Sequence, residues 1–163
     1  IGQNTAGQLG DNSSISRSSY TQIPSSSITS GNVNSPIQVT TSSFSQISAG
    51  TNLSLALDMN GLLWSWGLNN VGQLGQNDTV NRSSPTQVGT SSYTSITAGL
   101  NASYLIRSDG SLFVVGDNTY GQLGLNDLTY RSSLTQIGTS SNWSRVICAD
   151  NGTMLINNSN QGF

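Results

Sequence analysis

Apolar and polar residues alternate in short bursts along the chain, and no apolar run is long. Phe44-Ser-Gln-Ile-Ser-Ala49 reads as a half-buried strand, and Leu53, Leu55 and Leu57 alternate with Ser54 and Ala56. Asp58-Met-Asn-Gly61 then supplies a hairpin turn, and Leu62-Leu-Trp-Ser-Trp66 returns. The pattern repeats with Tyr93 to Ala98, Ala102 to Arg107, a turn at Asp109-Gly110, and Ser111 to Val115. Short strands are expected at Thr86–Val88 and Leu134–Ile137, with Pro85 at a strand start where a missing N–H costs nothing. A third, weaker copy runs Trp143-Ser-Arg-Val-Ile-Cys-Ala149, shifted by one residue, and Thr153 to Ile156. Its hairpin is expected to dissolve in Asn157-Asn-Ser-Asn160.

Between these strands one stretch recurs. Gly67-Leu-Asn-Asn-Val-Gly-Gln-Leu-Gly75 returns as Gly116-Asp-Asn-Thr-Tyr-Gly-Gln-Leu-Gly124 and opens the chain as Gly2-Gln-Asn-Thr-Ala-Gly-Gln-Leu-Gly10. Glycine suits positive φ or close backbone approach, and the Asn at the third position (Asn4, Asn69, Asn118) can bond backbone and close a turn. The stretch reads as a compact turn pinned to the core by Leu9, Leu74 or Leu123. It is not a phosphate loop, because it lacks the Lys-Ser/Thr ending and a following helix.

A repeat of about 50 residues made of short strands indicates a propeller or a related array. Four antiparallel strands form a small sheet with two apolar faces, which are buried by stacking against neighbouring sheets. The expected fold is all-β: a partial β-propeller or open array of about three four-stranded antiparallel blades. The chain is read as one domain, 1–163, incomplete at both ends, with approximate units 1–66, 67–115 and 116–163. Tyr20-Thr-Gln-Ile23 and Pro36-Ile-Gln-Val39 both match Pro85-Thr-Gln-Val88, so the first unit carries a loop insertion near 20–36. Ile1 stands where Trp66 and Val115 precede their glycines, so the chain is expected to be a piece of a longer repeat protein.

Ser, Thr, Asn and Gln make up close to half of the residues, while charged residues are 7% and apolar ones 34%. Such values could indicate disorder, but glycines and aromatics recurring at fixed spacing argue for an ordered repeat. There are 5 Arg and no Lys, and the net charge is -2. Dispersed arginines on a mildly acidic chain leave no footprint for nucleic acid, and no run is apolar enough to insert in a membrane. Weak charge repulsion favours self-association.

Without histidine there is no His-based triad and no Cys-His zinc set; no cofactor or metal is expected, and the chain reads as non-enzymatic. Asp11, Asp78 and Asp127 follow the Gly-Gln-Leu-Gly turns and are read as turn caps rather than calcium ligands, as are Asp58, Asp109 and Asp117. Cys148 reads as a small core residue. Trp64, Trp66 and Trp143 occupy strand positions and read as packing. Tyr20, Tyr120 and Tyr130 lie near turns and are the candidate interaction residues.

These units resemble the repeats of the regulator of chromosome condensation family. The resemblance rests on Ile47-Ser-Ala-Gly50 with Ser54-Leu-Ala-Leu57, on Asn60-Gly61, Trp64-Ser-Trp-Gly67 and Asn70-Val-Gly-Gln-Leu-Gly75, and on their recurrence as Ile96-Thr-Ala-Gly99, Asp109-Gly110, Val115-Gly116 and Tyr120-Gly-Gln-Leu-Gly124. It implies a seven-bladed propeller in the family's full-length members. The histidine that family repeats often carry after Ala-Gly is replaced by Leu53 and Ala102, and the third unit has Ala149-Asp150 in place of the glycine.

The functional expectation is a structural or protein-interaction repeat module, extracellular or surface-associated and able to self-assemble into a filament. Its partner would be a protein, copies of itself included. One alternative implied by the family is an intracellular regulator binding a small GTPase through propeller loops. Another is a secreted module that binds glycan or inhibits an enzyme.

Overall fold

The computed structural model describes residues 43–149 and 152–162, together with 5, 16, 19–20 and 34–35. Among these residues every regular element is a strand. The expected Tyr20–Ile23 strand is described only as β1 (Ser19–Tyr20), which pairs in parallel with β2 (Asn34–Ser35). The rest of the insertion, the Pro36–Val39 candidate, and the first turn with Asn4, Leu9 and Asp11 lie outside the described residues.

The main sheet runs in sequence order: β3 (Phe44–Ala49), β4 (Leu53–Asp58), β5 (Leu62–Gly67), β6 (Arg82–Ala98), β7 (Ala102–Arg107), β8 (Leu112–Gly116) and β9 (Arg131–Gln136). All its pairings are antiparallel. A separate pair follows, β10 (Trp143–Ala149) with β11 (Gly152–Asn157).

β6 is the hinge of this arrangement. Its first half pairs with β5 and its second half with β7. It closes one four-stranded blade (β3, β4, β5 and the start of β6) and opens the next (the end of β6, β7, β8 and β9). The sequence pattern places a strand only over Thr86–Val88, whereas the ladder begins at Arg82, opposite Gly67. β9 likewise begins at Arg131, opposite Gly116.

The two blades bury their leucines face against face. Leu53, Leu55, Leu57 and Leu63 of the first blade meet Ile96 and Leu105 of the second, with Leu74 from the turn and Leu134 from β9 at the edge. The opposite face of the second blade packs Tyr104, Ile106, Leu112 and Val114 against Val146, with Trp143, Cys148 and Leu155 alongside. Removing these side chains from water is the main favourable term, at about 25 cal/mol per Å² of apolar surface.

The innermost strands approach closely enough to exclude side chains. A Cβ on Gly50 would lie 2.1 Å from the carbonyl oxygen of Gly99. Polar groups stitch the seams between units: the Ala98 N–H donates to Ser48 Oγ at 2.9 Å between the first two blades, and Thr97 Oγ1 donates to the Val146 carbonyl at 3.0 Å between the second blade and β10. These bonds satisfy groups that stacking removes from solvent.

Two details of the third unit differ from its sequence reading. The one-residue shift is absorbed in the connection before β10, since Val146 pairs with Leu155 as Ile96 pairs with Leu105. The hairpin at Asn157–Asn160 does not dissolve. The Asn160 N–H donates to the Asn157 carbonyl at 2.9 Å, as Gly61 does to Asp58, and Asn160 takes a φ of 58° in place of glycine. Asn157 Oδ1 accepts from the N–H groups of Ser159 and Gln161, as Asp58 Oδ1 accepts from Asn60 and Leu62. Asn tolerates the left-handed region far better than most residues do, so it can stand in for the expected glycine.

Candidate interaction surface

The two described Gly-Gln-Leu-Gly turns are built alike around a fully buried asparagine. Asn69 Oδ1 accepts from the Leu74 N–H at 2.9 Å, and its Nδ2 donates to the Asp78 carbonyl and to Asp78 Oδ1, both at 3.0 Å. Asn118 repeats this with Leu123 at 2.9 Å and with the carbonyl and Oδ1 of Asp127 at 2.7 and 3.0 Å. Both asparagines are 0% exposed, and Leu74 and Leu123 are buried beneath them. The side-chain amide thus ties the two ends of a ten-residue loop together. Gly72 and Gly121 have φ of 79° and 77°, and Gly75 and Gly124 have 71° and 66°, a region L side chains avoid.

The aspartates cap these turns. Asp78 Oδ1 accepts from the Val80 N–H and Asp127 Oδ1 from the Thr129 N–H, both at 2.9 Å. Each carboxylate also holds the arginine four residues on, Asp78 with Arg82 at 2.6 Å and Asp127 with Arg131 at 2.5 Å. The Val80 N–H, with Arg82 behind it, lowers the Asp78 pKa; Arg131 first, then the Thr129 N–H, lowers that of Asp127. At the hairpins, Asp58 and Asp109 do the same. Leu62 and Asn60 N–H groups outweigh burial to lower the Asp58 pKa, and Arg107 with the Ser111 N–H lowers that of Asp109. The carboxylates are engaged by the turns they close, and no group of three or more metal-ligating side chains is found among the described residues.

With Arg82, Arg107 and Arg131 each tied to an aspartate, no basic patch forms among the described residues. Cys148 is half-buried, and burial pushes its thiol up to about 11, as a packing residue rather than a nucleophile requires. Trp64 and Trp66 pack on Phe44 with ring centroids 6.4 Å apart in both cases.

Of the candidate tyrosines, Tyr120 and Tyr130 both lie on the loop after β8. Tyr120 is 74% exposed and Tyr130 53%, and Leu128 between them is 68% exposed. Val80, on the corresponding loop of the preceding unit, is 60% exposed. The side chain of Tyr20 lies outside the described residues, so it is not joined to this group. Leu128 was missed by sequence reading. Its signal is a large apolar residue set among Asn126, Asp127 and Thr129, where no strand explains it. A cavity of about 330 Å³ opens between Tyr104, Tyr120, Leu123, Ile137 and Leu155. The Tyr104 hydroxyl donates to the Gln122 carbonyl at 3.1 Å at its floor.

Stacked four-stranded antiparallel blades joined by capped turns define a repeat protein of the β-propeller type. The regulator of chromosome condensation (RCC1) repeat matches residues 60–106 and 109–156, and a second model of that repeat matches 44–73 and 93–122. The chain belongs to this family. No curated protein matches the sequence.

Among solved structures, human WBSCR16 superposes with a TM-score of 0.73 at 23% identity, covering 98% of this chain and 40% of its own. Yeast RCC1 (Prp20), bound to Kap60, gives 0.64 at 21% identity over 73% of this chain and 31% of its own. Prp20p from Saccharomyces cerevisiae, described with its binding to Gsp1p and histones, gives 0.58 at 20% identity over 69% and 30%. The chain therefore spans less than half the length of these structures, and the likeness defines the fold.

These likenesses overturn the extracellular or surface-associated location expected from composition. Yeast RCC1 is described with histones, which are proteins of the cell interior. The hydroxyl- and amide-rich composition reflects how the strand surfaces are solvated and how the turns are capped, and it carries no address.

Proposed function

We propose that this chain is a non-enzymatic protein-interaction repeat module that contacts its partner through the rim formed by Tyr120, Leu128 and Tyr130. The observation that carries this reading is three exposed side chains, two tyrosines and a leucine, on one loop whose base is locked by Asn118 and Asp127. Aromatic anchors on a rigid base bind at low entropic cost, and tyrosine is enriched among the residues that dominate interfaces. The polar groups around the rim are consumed by turn capping, which leaves contact area and not charge as the source of affinity.

Affinity capture with the full chain, followed by titration of the captured protein, tests the reading. The Tyr120→Ala/Tyr130→Ala chain is expected to bind at least tenfold more weakly, which corresponds to about 1.4 kcal/mol or more. Unchanged affinity in a folded double variant would refute it.

A second reading is favoured by the likeness to Prp20p, whose structure is described with its binding to Gsp1p. Here the partner is a small GTPase and the chain a regulator acting through its loops. Release of a fluorescent nucleotide from the GTPase, accelerated by the chain, separates the two: acceleration supports the regulator, and binding without acceleration supports the plain interaction module.

A further inference from the structure

The loop that carries Tyr130 has a counterpart in the preceding unit, and the two close their turns by different bonds. They begin alike: the Leu68 N–H donates to the Asn52 carbonyl and the Asp117 N–H to the Asn101 carbonyl, both at 2.8 Å. They also end alike, in the ion pairs of Asp78 with Arg82 and of Asp127 with Arg131. Tyr130 therefore stands where Asn81 stands, and Asp117 where Leu68 stands.

In the first of these loops position 81 has a structural task. Asn81 Oδ1 accepts from the Asn69 N–H at 2.7 Å, across 12 residues of chain. The bond ties the entrance of the turn to the strand that leaves it, which Leu68 has no polar group to do. A tyrosine at 130 carries no amide oxygen to repeat that bond. In the second loop the entrance is held locally instead. Asp117 Oδ1 accepts from the Thr119 N–H at 2.9 Å and from Thr119 Oγ1 at 2.6 Å, an aspartate bonding the backbone two residues on. Burial works against the Asp117 carboxylate, yet the Thr119 bonds, with Gln122 and the Asn118 N–H, hold its pKa below the ordinary value. The second turn is thus closed at its entrance without any group from position 130.

Position 130 is also open by its place in the unit. Thr79, Val80 and Asn81 are exposed with a complete four-stranded blade stacked on their own, so exposure belongs to this loop position whatever stacks on it. Leu128, Thr129 and Tyr130 are exposed in the same way. A leucine and a tyrosine replace the threonine and asparagine of the counterpart, and Asp127 and Arg131 neutralise each other beside them.

We propose that position 130 is the specificity-determining position of this loop, released from turn-holding by Asp117 and occupied by a tyrosine that reads an uncharged, apolar patch on a protein partner. Asp117 is a positioning residue: it holds the turn so that Tyr130 need not. In the preceding unit the same position is committed to the turn, so Asn81 cannot be exchanged without loss of stability. This rests on the reading of the tyrosine loop as the contact surface, and adds which of its residues selects the partner and what permits it to.

A double-mutant cycle on the full chain tests the release, read as the urea midpoint. Asp117→Leu is expected to lower the midpoint of the parent chain. It is expected to have little effect in a Tyr130→Asn chain, where the introduced amide accepts from the Asn118 N–H as Asn81 does from Asn69. Tyr130→Asn alone, and Asp117→Asn, which keeps an acceptor at the same atom, are expected to leave the midpoint unchanged. An equal loss from Asp117→Leu in both backgrounds would overturn the proposal. The folded Tyr130→Asn chain is expected to bind the captured protein partner at least about tenfold more weakly, and the parent's affinity to hold as salt is raised, because paired charges leave little to screen. Affinity that falls steeply with salt would overturn the uncharged patch. A Tyr130→Asn chain that binds as the parent does, while Tyr120→Ala/Tyr130→Ala has lost affinity, would overturn position 130 as the determinant and leave the loop as the contact surface. Unchanged binding in both variants would remove the two readings together.

Discussion

Replacing Asn118 by alanine is expected to destabilise the chain by about 2–4 kcal/mol. The side chain is fully buried and makes three bonds, one accepted from Leu123 and two donated to Asp127. Alanine removes all three and strands the Leu123 N–H beneath the turn. Leaving such a donor unpaired costs about 1–3 kcal/mol, beyond the loss of about 1 kcal/mol for each bond that had been net favourable. No water can repair it without entering the space above Leu123, itself 0% exposed. Urea unfolding followed by circular dichroism measures the change as a lower midpoint. Thr139→Ala, at an exposed position, serves as the control and is expected to stay within about 0.5 kcal/mol of the parent. A turn variant as stable as the control would mean that the asparagine does not hold the loop.

Gly72→Ala is the second large effect, and its value lies in comparison with Gly121→Ala. Both glycines have nearly the same positive φ, so both substitutions carry about 1–2 kcal/mol of backbone strain. Among the described residues, the new methyl meets the backbone of the next unit at Gly72, 2.3 Å from Ser132 Cα, and not at Gly121. The strand must then retreat, taking Leu134 off the core and lengthening the bond from Asn77. Overpacking of this kind adds about 1–3 kcal/mol. The expected cost is thus about 2–5 kcal/mol for Gly72→Ala and about 1–2 kcal/mol for Gly121→Ala. Thermal unfolding of the two variants side by side measures the difference. Equal costs would show that the strand does not lie on the first turn.

Much of this was written in the local sequence because local chemistry decides it. Gly67, Gly72 and Gly75 announce positive φ, Asn69 announces a capped turn, and Asp58-Met-Asn-Gly61 announces a hairpin; each is where the pattern placed it. The alternation of Leu53, Leu55 and Leu57 likewise identified a buried face.

Features set by a neighbour were not visible in the same way. Arg82 to Pro85 has no apolar alternation, and it is a strand because β5 offers a ladder to pair with. The Asn157–Asn160 hairpin was missed because the positive φ falls on asparagine instead of glycine. The ion pairs from Asp78 to Arg82 and from Asp127 to Arg131 repeat at the same spacing in both units, a signal that was present but not used.

The candidate surface was legible in part. Tyr120 and Tyr130 stood out as turn aromatics and are exposed on one loop, whereas Leu128, exposed on the same loop, did not stand out. The cavity beside Tyr104 could not be read at all, because its walls come from two units. Location was misread because composition reports on solvation and not on compartment.

The central claim is that the first described Gly-Gln-Leu-Gly turn is a seat for the strand of the unit that follows, with the start of β9 resting on Gly72 and bonded to Asn77. Residue-resolved amide exchange of the full chain tests this most directly at Asn77, whose side chain is exposed while its N–H is bonded across the units. The account predicts a protected Asn77 N–H, bonded to Ser132, that loses its protection in the Gly72→Ala chain. Exchange of Asn77 at the rate of an unstructured asparagine in the parent chain would contradict it.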